Sequence, residues 1–215
     1  MNPTLPHIDD PDAMPFVVLA SSSPRRRSMF EQIGVHHTVL PASVDDGELG
    51  HAEHVNPAEW VAALAYLKAA SSAQLFIASP RLEHKPNTVV IGADTVCVHD
   101  GRVLGQPGDR DEAYAMILSM SDAEHEVLTG IAIIDPLTGR REIFIDRSVV
   151  RVGVIPEHEI LAYLDSGLWQ GKAGAYNITE RLAAGWPIEF DGDETSIVGL
   201  PMTRTLERVA QFFVD

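Results

Sequence analysis

From Thr88 to Pro107 the chain reads Thr-Val-Val-Ile-Gly-Ala-Asp-Thr-Val-Cys-Val-His-Asp-Gly-Arg-Val-Leu-Gly-Gln-Pro. Val89-Val90-Ile91 is apolar without alternation, the pattern of a strand covered on both faces of a sheet. Gly92 to Thr95 interrupt the run, Val96 to Val98 resume it, and Asp100-Gly101 is a hairpin turn signal. Asp94 therefore lies in the middle of hydrophobic sequence, where a carboxylate is expensive to bury without a metal, a cation or several donors. Two readings of it stand side by side. It is a structural carboxylate capping a turn at the strand break, or a metal ligand or general base with Gly92 permitting close backbone approach. Thr95 either orients Asp94 or touches a ligand.

The rest of the chain surrounds such a strand with helices. Residues 1–13 are rich in Pro and Asp and read as a flexible lead-in. Phe16 to Ala20 is a short buried strand; Pro24 opens a helix with Met29, Phe30 and Ile33 as its apolar stripe, and Gly34 ends it. Val35 to Leu40 is a further strand. Asn56, Pro57 and Glu59 form a helix start, followed at helical spacing by Trp60, Leu64, Leu67 and Lys68 to about Phe76. Ser79 to Asn87 is a loop. Asp109 and Glu112 begin a helix that runs through Ile117 to Met120. Glu126 to Ile134 and Glu142 to Val152 form an antiparallel pair across a turn at Pro136 to Gly139. A helix from Pro156 ends near Ser166-Gly167, and a last one follows Pro201. Helices alternating with buried strands define an α/β protein with a mixed twisted sheet flanked by helices. The acidic segments are too short for interdomain linkers, so residues 14–215 are expected to form a single domain with two lobes around a central cleft.

Composition narrows the function. Of 215 residues 31 are acidic and 16 basic, a net charge of −15, which repels nucleic acid and anionic lipid from most of the surface. Nucleic-acid and membrane partners are not expected. The single cysteine, Cys97, excludes an intrachain disulfide and suits a reducing compartment. With no positively charged stretch before the apolar run at Met14 to Ala20, the expected location is cytoplasmic.

Against that acidic background Ser21-Ser22-Ser23-Pro24-Arg25-Arg26-Arg27 is the densest basic cluster. It joins a buried strand to a helix start, so hydroxyls, free N–H groups and guanidinium forks converge where an anion binds. The alternative is a serine-capped helix with solvated arginines. Lys68 either snorkels along its helix or reaches a phosphate. Lys172, set among glycines in Gly171-Lys172-Ala173-Gly174-Ala175-Tyr176, is a candidate phosphate contact or pocket-rim residue. Asp45 and Asp46 are further carboxylates, either a solvated loop or partners of Asp94 around Mg²⁺. His125 and Thr129-Gly130 have ordinary strand readings. For Trp169 and Trp186, packing is preferred over stacking on a base. The nine histidines show no zinc spacing, and neither a P-loop nor a Gly-x-Ser-x-Gly elbow is present.

These motifs, in this order, resemble the Maf family of nucleoside triphosphate pyrophosphatases, whose fold is akin to the inosine triphosphatase group. The resemblance runs from about Phe16 to Phe213. It rests on Ala20-Ser21-x-Ser23-Pro24-Arg25-Arg26, Lys68, Gly92-Ala93-Asp94-Thr95, Leu104-Gly105-x-Pro107, His125-x-Val127-x-Thr129-Gly130, Lys172-Ala173-Gly174-Ala175-Tyr176-x-Ile178 and Val198-Gly199-Leu200-Pro201. It implies hydrolysis of a nucleoside triphosphate, pyrimidine or non-canonical, to a monophosphate and pyrophosphate with a divalent metal, Mg²⁺ or Mn²⁺. It carries the proton-accepting acid onto Asp94, metal ligation onto Asp94 and Asp46, and substrate contacts onto Ser21, Ser23, Arg25, Arg26, Lys68 and Thr95. A homodimer is also implied. The chain departs from the family at Gln106, where Lys is usual, and at Thr179, where Gln is usual. The thymidine and uridine triphosphate subgroup uses both positions, so both are taken as substrate-contact positions that bear on base preference and rate. The alternative function is a nucleotide-binding regulatory protein linked to cell division, with little turnover.

Overall fold

The computed structural model describes residues 7, 9–10, 14–43, 55–82 and 84–214. Asp45, Asp46 and most of the lead-in lie outside the described residues. The elements run β1 (Phe16–Leu19), α1 (Pro24–Ile33), β2 (His37–Val39), α2 (Pro57–Ala78), β3 (Thr88–His99), β4 (Arg102–Leu104), α3 (Arg110–Met120), β5 (Ala123–Ile134) and β6 (Arg141–Val152). They continue with α4 (Glu157–Asp165), α5 (Ile178–Ala183), β7 (Ile188–Asp191), α6 (Glu194–Val198) and α7 (Met202–Gln211). The strand order is β2-β1-β3-β5-β6-β7, with β4 also on β3. β1 is parallel to both neighbours and every other pairing is antiparallel. This is the expected mixed sheet flanked by helices. The elements α5, α6 and β7 were not anticipated: each is six residues or fewer, too short for periodicity to register.

One expectation is corrected. β3 does not break at Gly92 but runs as a single strand of 12 residues. Gly92 is where the backbone of α2 crosses: a Cβ there would sit 2.3 Å from the Ala65 carbonyl oxygen and 2.6 Å from the Ala69 nitrogen. Gly130 on β5, the register partner of Asp94, lies just as near the helix: a Cβ there would sit 2.5 Å from the Val61 carbonyl oxygen. A helix lies this near a sheet only over residues without side chains. Its buried face is Val61, Leu64, Ala65, Ala69, Ser72, Ala73 and Phe76; Leu67, expected on that face, is 42% exposed. α2 is long and apolar enough to cross a bilayer by length and composition, but that apolar face covers β3 and β5.

The two faces of the sheet differ. On the α2 side the small residues Ala65, Ala69 and Ala73 pack with Val18, Val90, Ala132 and Ile134. On the opposite side there are two apolar cores. One joins Val17, Leu19, Ile91, Ala93, Ile131 and Ile133 to α1 and α7; the other joins Val127, Val150 and Val152 to α3 and α4. Between them a polar row crosses the sheet, Thr95 opposite Thr129 and Thr129 opposite Asp146.

Candidate active site

The register of β3 explains where a site can open. β1 pairs with β3 only as far as Leu19 opposite Ile91, and β4 begins only at Leu104 opposite Cys97. Gly92 to Val96 therefore have no strand on that edge, while β5 covers the other. Asp94 and Thr95, adjacent on a strand, point to opposite faces, yet both border the gap. A cleft of about 270 Å³ fills it, lined among others by Ser23, Arg25, Arg26, Lys68, Asp94, Thr95, Gln106 and Lys172.

From the α2 side, Lys68 Nζ donates to Asp94 Oδ1 at 2.6 Å, with both side chains largely buried. Glycine packing produces this contact, since α2 must press on Gly92 for a lysine on its fourth turn to reach a carboxylate two residues further along the strand. Lys68 thus supplies the cation that a buried Asp94 requires.

From the other side, α1 begins at Pro24 after Ser23, and the Ser23 side chain makes no cap. Arg26 on its first turn is buried. Its Nε donates to the Gly199 carbonyl at 2.7 Å, Nη1 to Ser21 Oγ at 3.3 Å and Nη2 to Thr95 Oγ1 at 3.1 Å. Ser21 stands behind the cleft, holding Arg26 and accepting from the Ser23 N–H at 3.2 Å. The solvated-arginine reading fits Arg25, which is exposed at the cleft mouth, and not Arg26.

The third wall is the irregular segment after α4. Lys172 lines the cleft and is ion-paired with Glu180. A 3₁₀ turn, Ala173–Ala175, follows with Gly174 at φ 68° and Ala175 at φ 65°, the latter a left-handed conformation that costs a residue with a Cβ. Tyr163 Oη donates to the Ala175 carbonyl at 3.1 Å and holds the turn. Thr179 does not line the cleft; its Oγ1 is buried with no partner among the described residues. Gln106 does line it.

The far end is apolar, with Cys97, Val127, Val150, Ile178 and Ile197 around Tyr176 and His125. His125 Nε2 lies 2.9 Å from Tyr176 Oη. Burial, helped by nearby His99, pushes the His125 imidazole down to about 4, so the ring is neutral at pH 7. Burial also raises the Cys97 thiol to about 12 and the Tyr176 phenol well above its ordinary value. Trp169 and Trp186 are core residues: the indole of Trp169 donates to the Leu164 carbonyl at 3.1 Å, and Trp186 packs on Tyr163 and Tyr176. Thr129, Glu180 and the Gly199 carbonyl escaped sequence reasoning as site-building groups, because only strand register and tertiary packing bring them to the cleft.

The Maf-like protein family matches residues 16–212, and the chain belongs to it. Among its relatives, a dTTP/UTP pyrophosphatase of Pelotomaculum thermopropionicum is 38% identical over 196 residues, covering 91% of this chain and 96% of the relative. Proteins of the same description from Symbiobacterium thermophilum and Geobacillus are also 38% identical, covering 91% and 90% of this chain and 93% and 96% of their own lengths. The chain is accordingly an enzyme of the hydrolase class.

Proposed function

We propose that this protein hydrolyses a pyrimidine nucleoside triphosphate, dTTP or UTP, to the nucleoside monophosphate and pyrophosphate. The observation that carries the reading is the convergence of Arg26, Lys68 and Asp94 at the open edge of β3, in a chain whose relatives carry that activity. Arg26, Lys172 and Ser23 line the cleft, with Arg25 at the mouth and Ser21 behind holding Arg26, and are oriented to hold phosphate oxygens. The apolar end takes the nucleoside. Asp94 accepts the proton of the attacking water; the water oxygen bonds to the α-phosphorus, the bridge to the β-phosphate breaks, and pyrophosphate leaves with its charge met by the cations. Lys68 holds Asp94 in place through their 2.6 Å contact. Residues 14–215 act as one domain, its lobes being the two apolar cores on either side of the polar row.

The family resemblance implies a divalent metal. Among the described residues no group of three or more His, Cys, Asp or Glu is placed to hold one. Asp94 nevertheless fits, because Mg²⁺ is commonly held by one or two carboxylates and the phosphates of its substrate. Asp94, with Asp46 as the second carboxylate, would hold Mg²⁺ or Mn²⁺, which when bound neutralises charge on the phosphoryl oxygens.

Of the two departures, Gln106 bears on preference more than Thr179, because only Gln106 faces the cleft. Gln106→Lys is expected to raise kcat/KM for dTTP and UTP relative to purine nucleotides, and Thr179→Gln to change the ranking less. The direct test is product analysis with dTTP, UTP, ATP and GTP at saturating Mg²⁺. The monophosphate and pyrophosphate are expected, fastest with dTTP or UTP. A nucleoside diphosphate with orthophosphate contradicts the reaction, and a purine preference contradicts the substrate.

A further inference from the structure

We propose that Thr129, a residue no substrate can touch, is a positioning residue that sets the orientation of Arg26; the inference rests on the reading of Arg26 as a phosphate contact. Thr129 is fully buried at the centre of the polar row. Its Oγ1 lies 2.9 Å from the Ser196 carbonyl and 2.9 Å from Thr95 Oγ1. Thr95 Oγ1 in turn lies 3.1 Å from Arg26 Nη2.

Counting protons and preferring the shorter contacts orders these bonds. The Ser196 carbonyl only accepts, so the single hydroxyl proton of Thr129 goes to it. The Thr129 oxygen then serves Thr95 as acceptor, and the Thr95 proton is committed there. The Thr95 oxygen is left to present a lone pair to Arg26. The Gly199 carbonyl, 3.5 Å from Thr95 Oγ1, is a competing acceptor for that proton, and the shorter 2.9 Å contact favours the Thr129 oxygen; without the Thr129 hydroxyl the proton turns to Gly199.

Both anchoring carbonyls belong to the carboxyl end of α6. Ser196 lies within its last turn, its carbonyl also accepting from the Gly199 N–H at 2.9 Å, and Gly199 is its C-cap, where the dipole favours a cation. Arg26 Nε donates to the Gly199 carbonyl at 2.7 Å. The end of α6 thus grips the guanidinium twice, once directly and once through two threonines. Gly199 sits at φ 133°, and a Cβ on it would approach Arg26 Nε to 3.3 Å, so the grip depends on glycine there as well.

Thr129→Val preserves shape and removes the hydroxyl; Thr129→Ser keeps the hydroxyl and removes a buried methyl. Calorimetric affinity for inorganic triphosphate, which has no base, reads the phosphate end alone. Thr129→Val is expected to weaken it about tenfold and to raise KM for the nucleotide by a similar factor with kcat within about threefold. Thr129→Ser should bind within twofold of wild type although the lost methyl lowers its Tm. A purely structural hydroxyl would lower Tm in Thr129→Val and leave triphosphate affinity and KM at wild-type values, which overturns the inference. Should Thr129→Val not fold, Thr129→Cys, a weak donor of similar size, takes its place; affinity below that of the serine variant supports the inference, and wild-type affinity overturns it. The reading of Arg26 is checked separately. Wild type and Arg26→Ala binding triphosphate equally well overturns both, whereas a loss in Arg26→Ala with none in Thr129→Val overturns only the role of Thr129.

Discussion

The two faces of β3 contribute to one cleft by opposite means. On the α2 side the work is done by absence: Gly92 and Gly130 lack side chains, the helix backbone comes within a Cβ of the strand, and Lys68 meets Asp94 at 2.6 Å. On the other side it is done by hydroxyls and carbonyls, which split the apolar packing into two cores and hold Arg26 by three directed hydrogen bonds. The first face should therefore couple activity to stability. The second should separate them, because a hydrogen bond orients a side chain without supporting much of the core.

The largest expected effect lies on the α2 face. Gly92→Ala places a methyl against backbone atoms that cannot swing away, so it should cost about 3 kcal/mol, at the upper end of overpacking effects, and reduce activity with it. Urea unfolding alongside kcat/KM checks this; a stable, inactive variant would break the comparison.

The next effect is set by pH at the apolar end of the cleft. The folded protein holds His125 near 4, below the ordinary value of about 6.5, so between those values the unfolded chain binds the proton and the native state does not. Stability from this group is complete above about pH 6.5 and is lost as the pH falls towards 4, by on the order of 3 kcal/mol. His125→Gln should flatten Tm against pH over that window. An unchanged slope would place the acid sensitivity elsewhere.

On the opposite face, Arg26→Ala should lower kcat/KM more than tenfold, corresponding to about 1.5–3 kcal/mol for charge-assisted contacts. Its urea midpoint should fall far less than that of Gly92→Ala; equal losses in the two variants would erase the distinction between the faces. Smallest is the effect of Glu180→Gln. The Lys172–Glu180 pair is half open to solvent on its acidic side, and such pairs contribute little, so KM should move by less than about threefold with Tm unchanged.

Much of this was legible in the chain before folding. The Ser21 to Arg26 junction, the buried Asp94 and the α/β alternation follow from periodicity, capping residues and the cost of burying charge. Gly92 was legible as special but not as a helix contact, because close approach and strand breaking leave the same mark in one dimension. Thr129 was illegible for a different reason: its role exists only through a register that sets it opposite Thr95 and a fold that brings α6 from nearly seventy residues away. The wall from Gly171 to Glu180 announced irregular backbone through its glycines, but the left-handed Ala175 is imposed by tertiary contacts and has no local signature.

Asp94→Asn bears most directly on the central claim, that the two faces meet to make a hydrolytic site around one carboxylate. The amide preserves size and burial but is a poor base and a weak metal ligand. Pyrophosphate release measured at saturating Mg²⁺ and dTTP or UTP should fall at least about a hundredfold in kcat, within the range that general-base catalysis contributes, while circular dichroism and nucleotide affinity by calorimetry remain those of a folded, binding protein. A kcat close to wild type would contradict the account and return Asp94 to the role of a structural partner for Lys68.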